Sequence, residues 1–128
     1  MLARELMMKN DKIAKYDLSH NELGDNGLSI IAEALGRTSH IIQLKLDMNK
    51  IQWEGASYLA KALSINVSLI DLSMSSGKTG GNNRNRILER GAYELSEALS
   101  VNKFLLILNL TGNGIGSEGL SYLLPAVA

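Results

Sequence analysis

Ile41-Ile42-Gln43-Leu44-Lys45-Leu46-Asp47-Met48-Asn49-Lys50-Ile51 decides the fold. Its apolar anchors Ile41, Leu44, Leu46 and Ile51 surround one asparagine in the frame L-x-x-L-x-L-x-x-N-x-I/L, and that frame occurs four times in the chain. The first copy has Ile13, Tyr16, Leu18, Asn21 and Leu23; the last has Leu105, Leu108, Leu110, Asn113 and Ile115. The third opens with Leu69, Leu72 and Met74 and resumes, after an interruption, at Asn85 and Ile87. Asn49 follows Asn21 by 28 residues, and Asn113 follows Asn49 by 64, which is two such periods and eight residues more. A fixed period of this length means stacked copies of one small unit.

Within each copy the L-x-L step alternates at period two, as in a strand with one buried face, and a glycine then opens a run with apolar residues three and four apart, as in a helix. The helical halves begin at Gly27-Leu28, Gly55-Ala56, Gly91-Ala92 and Gly119-Leu120. A glycine inside a helix costs roughly 1 kcal/mol relative to alanine, so its use here implies a steric need. A strand, a helix and a return to a parallel strand make a right-handed coil, and successive coils pile up. The expected fold is α/β: a right-handed β-α solenoid with a parallel sheet on its concave face and helices on its convex face. It forms a single domain over 1–128. Residues 1–12 carry a partial repeat helix, and the repeats cover 13–40, 41–68, 69–104 with an insertion at about 76–83, and a truncated 105–128.

The ladder asparagines Asn21, Asn49, Asn85 and Asn113 are expected to be structural. A buried Asn both donates and accepts, so it can satisfy backbone groups left unpaired where the chain leaves the sheet. Truncating one would cost roughly 1 to 3 kcal/mol. On these residues the chain resembles leucine-rich repeats of the ribonuclease-inhibitor-like subtype, over nearly every residue outside the interruption. The resemblance implies a curved solenoid used mainly to bind other proteins, and it is specific for fold more than for function. It also implies two other settings, regulation of a small GTPase as in Ran GTPase-activating proteins and a structural, actin-associated role as in tropomodulins. Ribonuclease inhibitors themselves are rich in cysteine, and this chain has none.

Composition narrows the function further. Of the 128 residues 45% are hydrophobic and 20% charged, an ordinary folded composition. Thirteen basic and thirteen acidic residues cancel, so no net field draws the chain to nucleic acid or to a membrane surface. The apolar runs are too short to cross a bilayer, and the first residues lack a secretory layout, which points to a cytoplasmic location. Without cysteine, and with His20 and His40 sharing no face, no metal site or cofactor is expected. No nucleophile stands beside an oriented base, so the chain is read as no enzyme. The sequons at Asn66 and Asn109 are chance matches, the second on a strand.

Both ends read as open. Leu2-Ala3-Arg4-Glu5-Leu6 matches Leu59-Ala60-Lys61-Ala62-Leu63, as if the chain began inside an earlier repeat's helix, and Pro125 should shorten or deflect the last one. Uncapped coils suggest a piece of a longer chain or self-association. The interruption, Ser75 to Arg84, is polar and glycine-rich with no apolar anchor, and is expected to bulge as a mobile loop over one rim of the sheet. It brings Lys78 and Arg84, with Arg86 and Arg90 behind them, into a basic patch that suits an acidic partner segment. Gly77-Lys78-Thr79 is no phosphate loop, because the glycine needed five positions earlier is Leu72.

The partner is therefore expected to be a protein, held by the sheet face and the 76–84 loop. Residues flanking the strand leucines form three columns: Lys15, Gln43, Asp71 and Ile107; Asp17, Lys45, Ser73 and Asn109; Ser19, Asp47, Ser75 and Thr111. Trp53 adds an aromatic anchor where the other repeats have Asp25, Glu89 and Ser117.

Overall fold

The computed structural model describes residues 2–77 and 81–127. Along them run α1 (Leu2–Lys9), β1 (Lys15–Asp17), α2 (Gly24–Arg37), β2 (Gln43–Lys45), α3 (Trp53–Leu63), β3 (Asp71–Ser73), a 3-10 turn at Gly81–Asn83, α4 (Leu88–Leu99), β4 (Ile107–Asn109) and α5 (Gly116–Val127). The strands form one parallel sheet in the order β1-β2-β3-β4, and each helix packs against the next. This is the α/β solenoid that the 28-residue period requires.

Register follows the leucine frame: Tyr16 pairs with Leu44, Leu44 with Leu72, and Leu72 with Leu108. The inward side chains of the middle coils are sealed, with Ile41, Leu44, Leu46, Ile51, Leu59, Leu63, Leu69, Leu72, Met74 and Ile87 all at 0% exposure. They belong to one cluster that runs from Met7 in α1 to Leu123 in α5, and each fully buried leucine contributes about 1.5–3 kcal/mol through burial. The fourth coil is less covered. Leu105, Leu108 and Leu110 are only half-buried, and Leu106, Ile107 and Leu124 are exposed.

The helix-opening glycines have a steric reason. A Cβ on Gly55 would lie 2.8 Å from Ile51 Cγ2, and one on Gly91 would lie 2.5 Å from Ile87 Cβ. In the last three copies the Ile that ends the strand frame sits where that methyl would go, so an alanine there would push the corner open.

Three of the ladder asparagines, Asn49, Asn85 and Asn113, wire their own coil to the one before it. Asn49 Oδ1 accepts the backbone N–H groups of Asn21 and Leu23, and Asn85 Oδ1 accepts those of Asn49 and Ile51. Their Nδ2 groups donate to carbonyls of both coils: Leu18 and Asp47 for Asn49, Leu46 and Met74 for Asn85. Asn113 repeats the pattern with Ile87, Met74 and Leu110. Asn21 differs: it is exposed and donates only within its own coil, to Leu18 and Ser19. Among the described residues no strand precedes β1, so no earlier strand corner lies within reach of its oxygen.

A second ladder holds the opposite corner, where helix returns to strand. Asn66 Nδ2 donates to the Leu35 and Thr38 carbonyls, and its Oδ1 accepts from Ser68 and Leu69. Asn102 does the same with Leu63, Asn66, Phe104 and Leu105, and Asn10 accepts from Lys12. Asn66 is 3% exposed, so its sequon is closed to glycosylation in the folded chain.

Three expectations are corrected. In α1 the buried residue is Met7, while Leu2 and Leu6 are 75% and 41% exposed; Asn10 fixes the corner and shifts the helix by one residue from the match with Leu59 and Leu63. The last helix runs through Pro125 to Val127 and is 12 residues long, as α4 is. The carbonyl that Pro125 leaves without a donor belongs to solvent-exposed Ser121, where water can serve it. Ser76 is not part of the insertion. It is fully buried, its N–H donates to Thr111 as that of Met48 does to Ser75, and its hydroxyl donates to the Asn85 carbonyl. The eight extra residues are 77–84.

Candidate functional site

The sheet face carries two of the three columns in the expected pairing, Lys15 to Gln43 to Asp71 to Ile107 and Asp17 to Lys45 to Ser73 to Asn109. Side-chain bonds already organise much of it. Gln43 Nε2 donates to Asp71 Oδ2 at 3.0 Å. Asp47 Oδ1 accepts the Ser73 hydroxyl and, at 2.7 Å, the Ser75 N–H, while the Asp47 N–H donates to Ser19 Oγ at 3.1 Å. Ser73 is therefore withdrawn from solvent, and Asp47 is committed to holding two coils together. Asp17 Oδ1 accepts the Ser19 N–H, and Asn109 Oδ1 accepts the N–H and hydroxyl of Thr111, the local turn bonds that short polar side chains make. The Ser19 donors hold the Asp17 carboxyl below its ordinary range. Lys15, Asp17 and Asn109 stand exposed and Lys45 is partly so; neither lysine forms an ion pair among the described residues. A fixed lattice of small polar groups with a few free charges is a surface for polar, shape-dependent contact.

The described end of the insertion, residues 81–84, is tied to the coils on both sides. The Lys50 N–H donates to the Asn83 carbonyl at 3.1 Å, and Arg84 Nη2 donates to the Gly112 carbonyl of the fourth coil at 3.0 Å. The turn at Gly81–Asn83 thus folds back onto the second coil. Lys78 lies outside the described residues. Arg84 and Arg86 line one pocket of about 260 Å³ together with Lys50, Gln52, Gly81 and Asn82. Arg90 does not join them; its guanidinium carbon lies 3.5 Å from the centre of the Trp53 ring, a cation–π stack that leaves Trp53 half-buried at the start of α3.

Lys50 is the residue that inspection of the frame missed. It follows Asn49 as Glu22 follows Asn21 and Arg86 follows Asn85, so the three occupy one position in adjacent coils. That equivalence was available in the sequence; the folding of the insertion against it was not. His20, at a strand end with φ 61°, and His40, whose buried Nε2 has no partner among the described residues, are not brought together with other ligand types.

With that geometry in place, similarity to known proteins agrees with the coils. The family described as Leucine Rich repeat matches residues 17–32 and 101–124. The chain has the leucine-rich repeat fold. Protein NLRC5 of Mus musculus is 34% identical over 71 residues, which is 56% of this chain and 4% of the relative. The repeat array thus spans a small fraction of the curated relative it matches. Among solved structures, Leiomodin-1 Actin-Binding Site 2 superposes with a TM-score of 0.81 at 16% identity, over 96% of this chain and 69% of that one. The tropomodulin C-terminal domain of Caenorhabditis elegans gives 0.61 at 12% identity, over 98% and 89%. At such identities the likeness concerns the leucine-rich repeat fold alone.

Proposed function

We propose that this chain of leucine-rich repeat fold is a non-catalytic scaffold that holds a protein partner against its concave sheet face and the adjoining 77–84 loop. The observation that carries this reading is the organised polar lattice on the sheet, from the Gln43–Asp71 bond to the Asp47 bonds with Ser73 and Ser75. Such preorganisation lowers the ordering cost of association. Lys15, Asp17, Lys45, Asn109 and the rim residues Arg84 and Arg86 supply the free charges and amides, and the half-buried Trp53 adds an aromatic edge. The coils fit the ribonuclease-inhibitor-like subtype, since α2, α3 and α4 are full helices of 14, 11 and 12 residues. The absence of cysteine suits a cytoplasmic setting, and no helix of the described residues is long and apolar enough to cross a membrane.

Lysine footprinting tests the reading directly. In extract containing the partner, acetylation of Lys15 and Lys45 should fall relative to the isolated chain, while Lys61 on the exposed side of α3 reacts as before. Protection confined to helix lysines would place the contact on the wrong face.

A second reading has one specific support, the superposition on an actin-binding site of leiomodin-1. On that reading the scaffold is a structural, actin-associated segment. Co-sedimentation with actin filaments would favour it, and a chain left wholly in the supernatant at micromolar actin would exclude it.

A further inference from the structure

The pocket between the insertion and the second coil gathers like charges where the repeat would normally avoid them. Lys50 and Arg86 occupy the same position in neighbouring coils, an arrangement that repels. The insertion then adds Arg84, so that Lys50, Arg84 and Arg86 line one cavity with Gln52, Asn82 and Gly81 and with no carboxylate. Glu22 reaches Lys50 at 3.3 Å from the first coil and is not part of the lining. Asp25, a further acid of the first coil, is spent on the backbone N–H groups of Gln52 and Gly55. After Glu22 is counted, two positive charges remain. Arg84 is held by one donated bond to Gly112 and keeps its other N–H groups, while the Arg86 side chain makes no hydrogen bond or ion pair among the described residues.

We propose that this pocket binds the phosphate of a phosphorylated serine or threonine on the protein partner. The proposal rests on the reading of the chain as a protein-binding module and names the chemistry at its rim. A phosphomonoester near neutral pH carries about −1.5 to −2 charge and three acceptor oxygens, which matches the two uncompensated charges and the forked donors of two arginines. A carboxylate brings one charge and two oxygens and leaves the cluster half-neutralised. The amides of Gln52 and Asn82 supply neutral donors beside the cations. Anchoring of Asn83 to Lys50, and of Arg84 to Gly112, sets the cavity before any ligand arrives.

The test is a titration followed by backbone amide chemical shifts, with four probes: acetyl-Gly-phosphoserine-Gly-amide, its serine and glutamate counterparts, and inorganic phosphate. The phosphopeptide should give saturable shifts at Lys50, Gln52, Arg84 and Arg86. The glutamate peptide should bind several-fold more weakly and the serine peptide not at all. Arg86→Gln, and separately Lys50→Gln, should each weaken phosphopeptide binding by roughly tenfold, the scale of one charge-assisted hydrogen bond, with an unchanged thermal melt. Shifts scattered over all surface cations, equal response to glutamate, or unaltered affinity in both variants would overturn the proposal. Inorganic phosphate binding more tightly than the peptide would overturn its assignment to a partner's side chain. None of these results touches the footprint at Lys15 and Lys45, so the pocket can fail while the scaffold reading stands.

Discussion

Replacing Asn85 by alanine should be among the most damaging single changes in the molecule, and replacing Asn21 among the mildest of the same kind. Asn85 is fully buried. It accepts from Asn49 at 2.9 Å and Ile51 at 3.0 Å, and it donates to Leu46 and Met74 at 3.0 Å each. Alanine leaves two donors and two acceptors of the backbone dry at the corner between the second and third coils. Each unsatisfied buried group costs about 1–3 kcal/mol, and partial relaxation keeps the sum below the simple total, so roughly 4 kcal/mol is expected. Asn21 serves only two carbonyls at an exposed position, and its loss should cost below about 1 kcal/mol because water replaces it. Asn113, with one long bond to Ile87 at 3.4 Å and carbonyls at 2.8 and 3.0 Å, should fall between them. Urea unfolding followed by far-ultraviolet circular dichroism measures all three, provided the slope m is unchanged. Costs for Asn85→Ala and Asn21→Ala within about 0.5 kcal/mol of each other would refute the coil-to-coil wiring; the asparagine would then act through something every copy shares, such as turn preference.

Other outcomes follow from the same contacts. Deleting Gly77–Arg84 joins Ser76 to Asn85 as Met48 joins Asn49; His20, Met48 and Gly112 have φ of 61°, 55° and 76° at that corner and Ser76 does not. The deletion should therefore melt cooperatively with a loss of about 1–2 kcal/mol, largely recovered by Ser76→Gly in the same background, and a non-cooperative melt would contradict the boundary. Leu46→Ala should cost roughly 2–5 kcal/mol, and Leu110→Ala, half-buried in the fourth coil, clearly less; equal losses in denaturant would count against the exposure gradient. Gly55→Ala puts a methyl 2.5 Å from Asp25 Oδ1, which caps α3, and a loss of about 1–3 kcal/mol is expected, read as a lowered midpoint. The folded pKa of Asp17 is depressed by its Ser19 donors, so its contribution is present above the ordinary carboxylate range and disappears as pH falls through the lowered value. Asp17→Asn should accordingly trail the parent at neutral pH and converge with it in acid; a gap that widens on acidification would reverse the sign.

The sheet columns were legible because side-chain direction in a strand depends only on parity, and the leucines fix the parity of every outward residue. The second ladder was hidden by its own variation. Asn10, Asn66 and Asn102 keep the spacing, but Thr38 replaces one member, and Asn66 looks like a glycosylation signal until its burial is known. The register of α1 was misread because Leu-Ala-Arg-Glu-Leu is amphipathic in two neighbouring phases, and only the corner at Asn10 distinguishes them. Contacts of the insertion could not be read at all. Its residues follow no frame, so neither the return of Asn83 to Lys50 nor the reach of Arg84 to Gly112 has a periodic signature. The stack of Arg90 on Trp53 joins residues 37 positions apart whose closeness depends on the extra eight being looped out.

The direction of the asparagine bonds gives each repeat a grammar. Every middle repeat carries, in its own residue, the groups that complete the corner of its predecessor, and asks nothing of its successor except the same service. A duplicated or excised unit therefore leaves no severed connection behind, provided the cut respects the period. Arrays of this kind can lengthen or shorten through simple recombination between like segments, and a polar insertion such as 77–84 can be grafted at one corner without renegotiating the others.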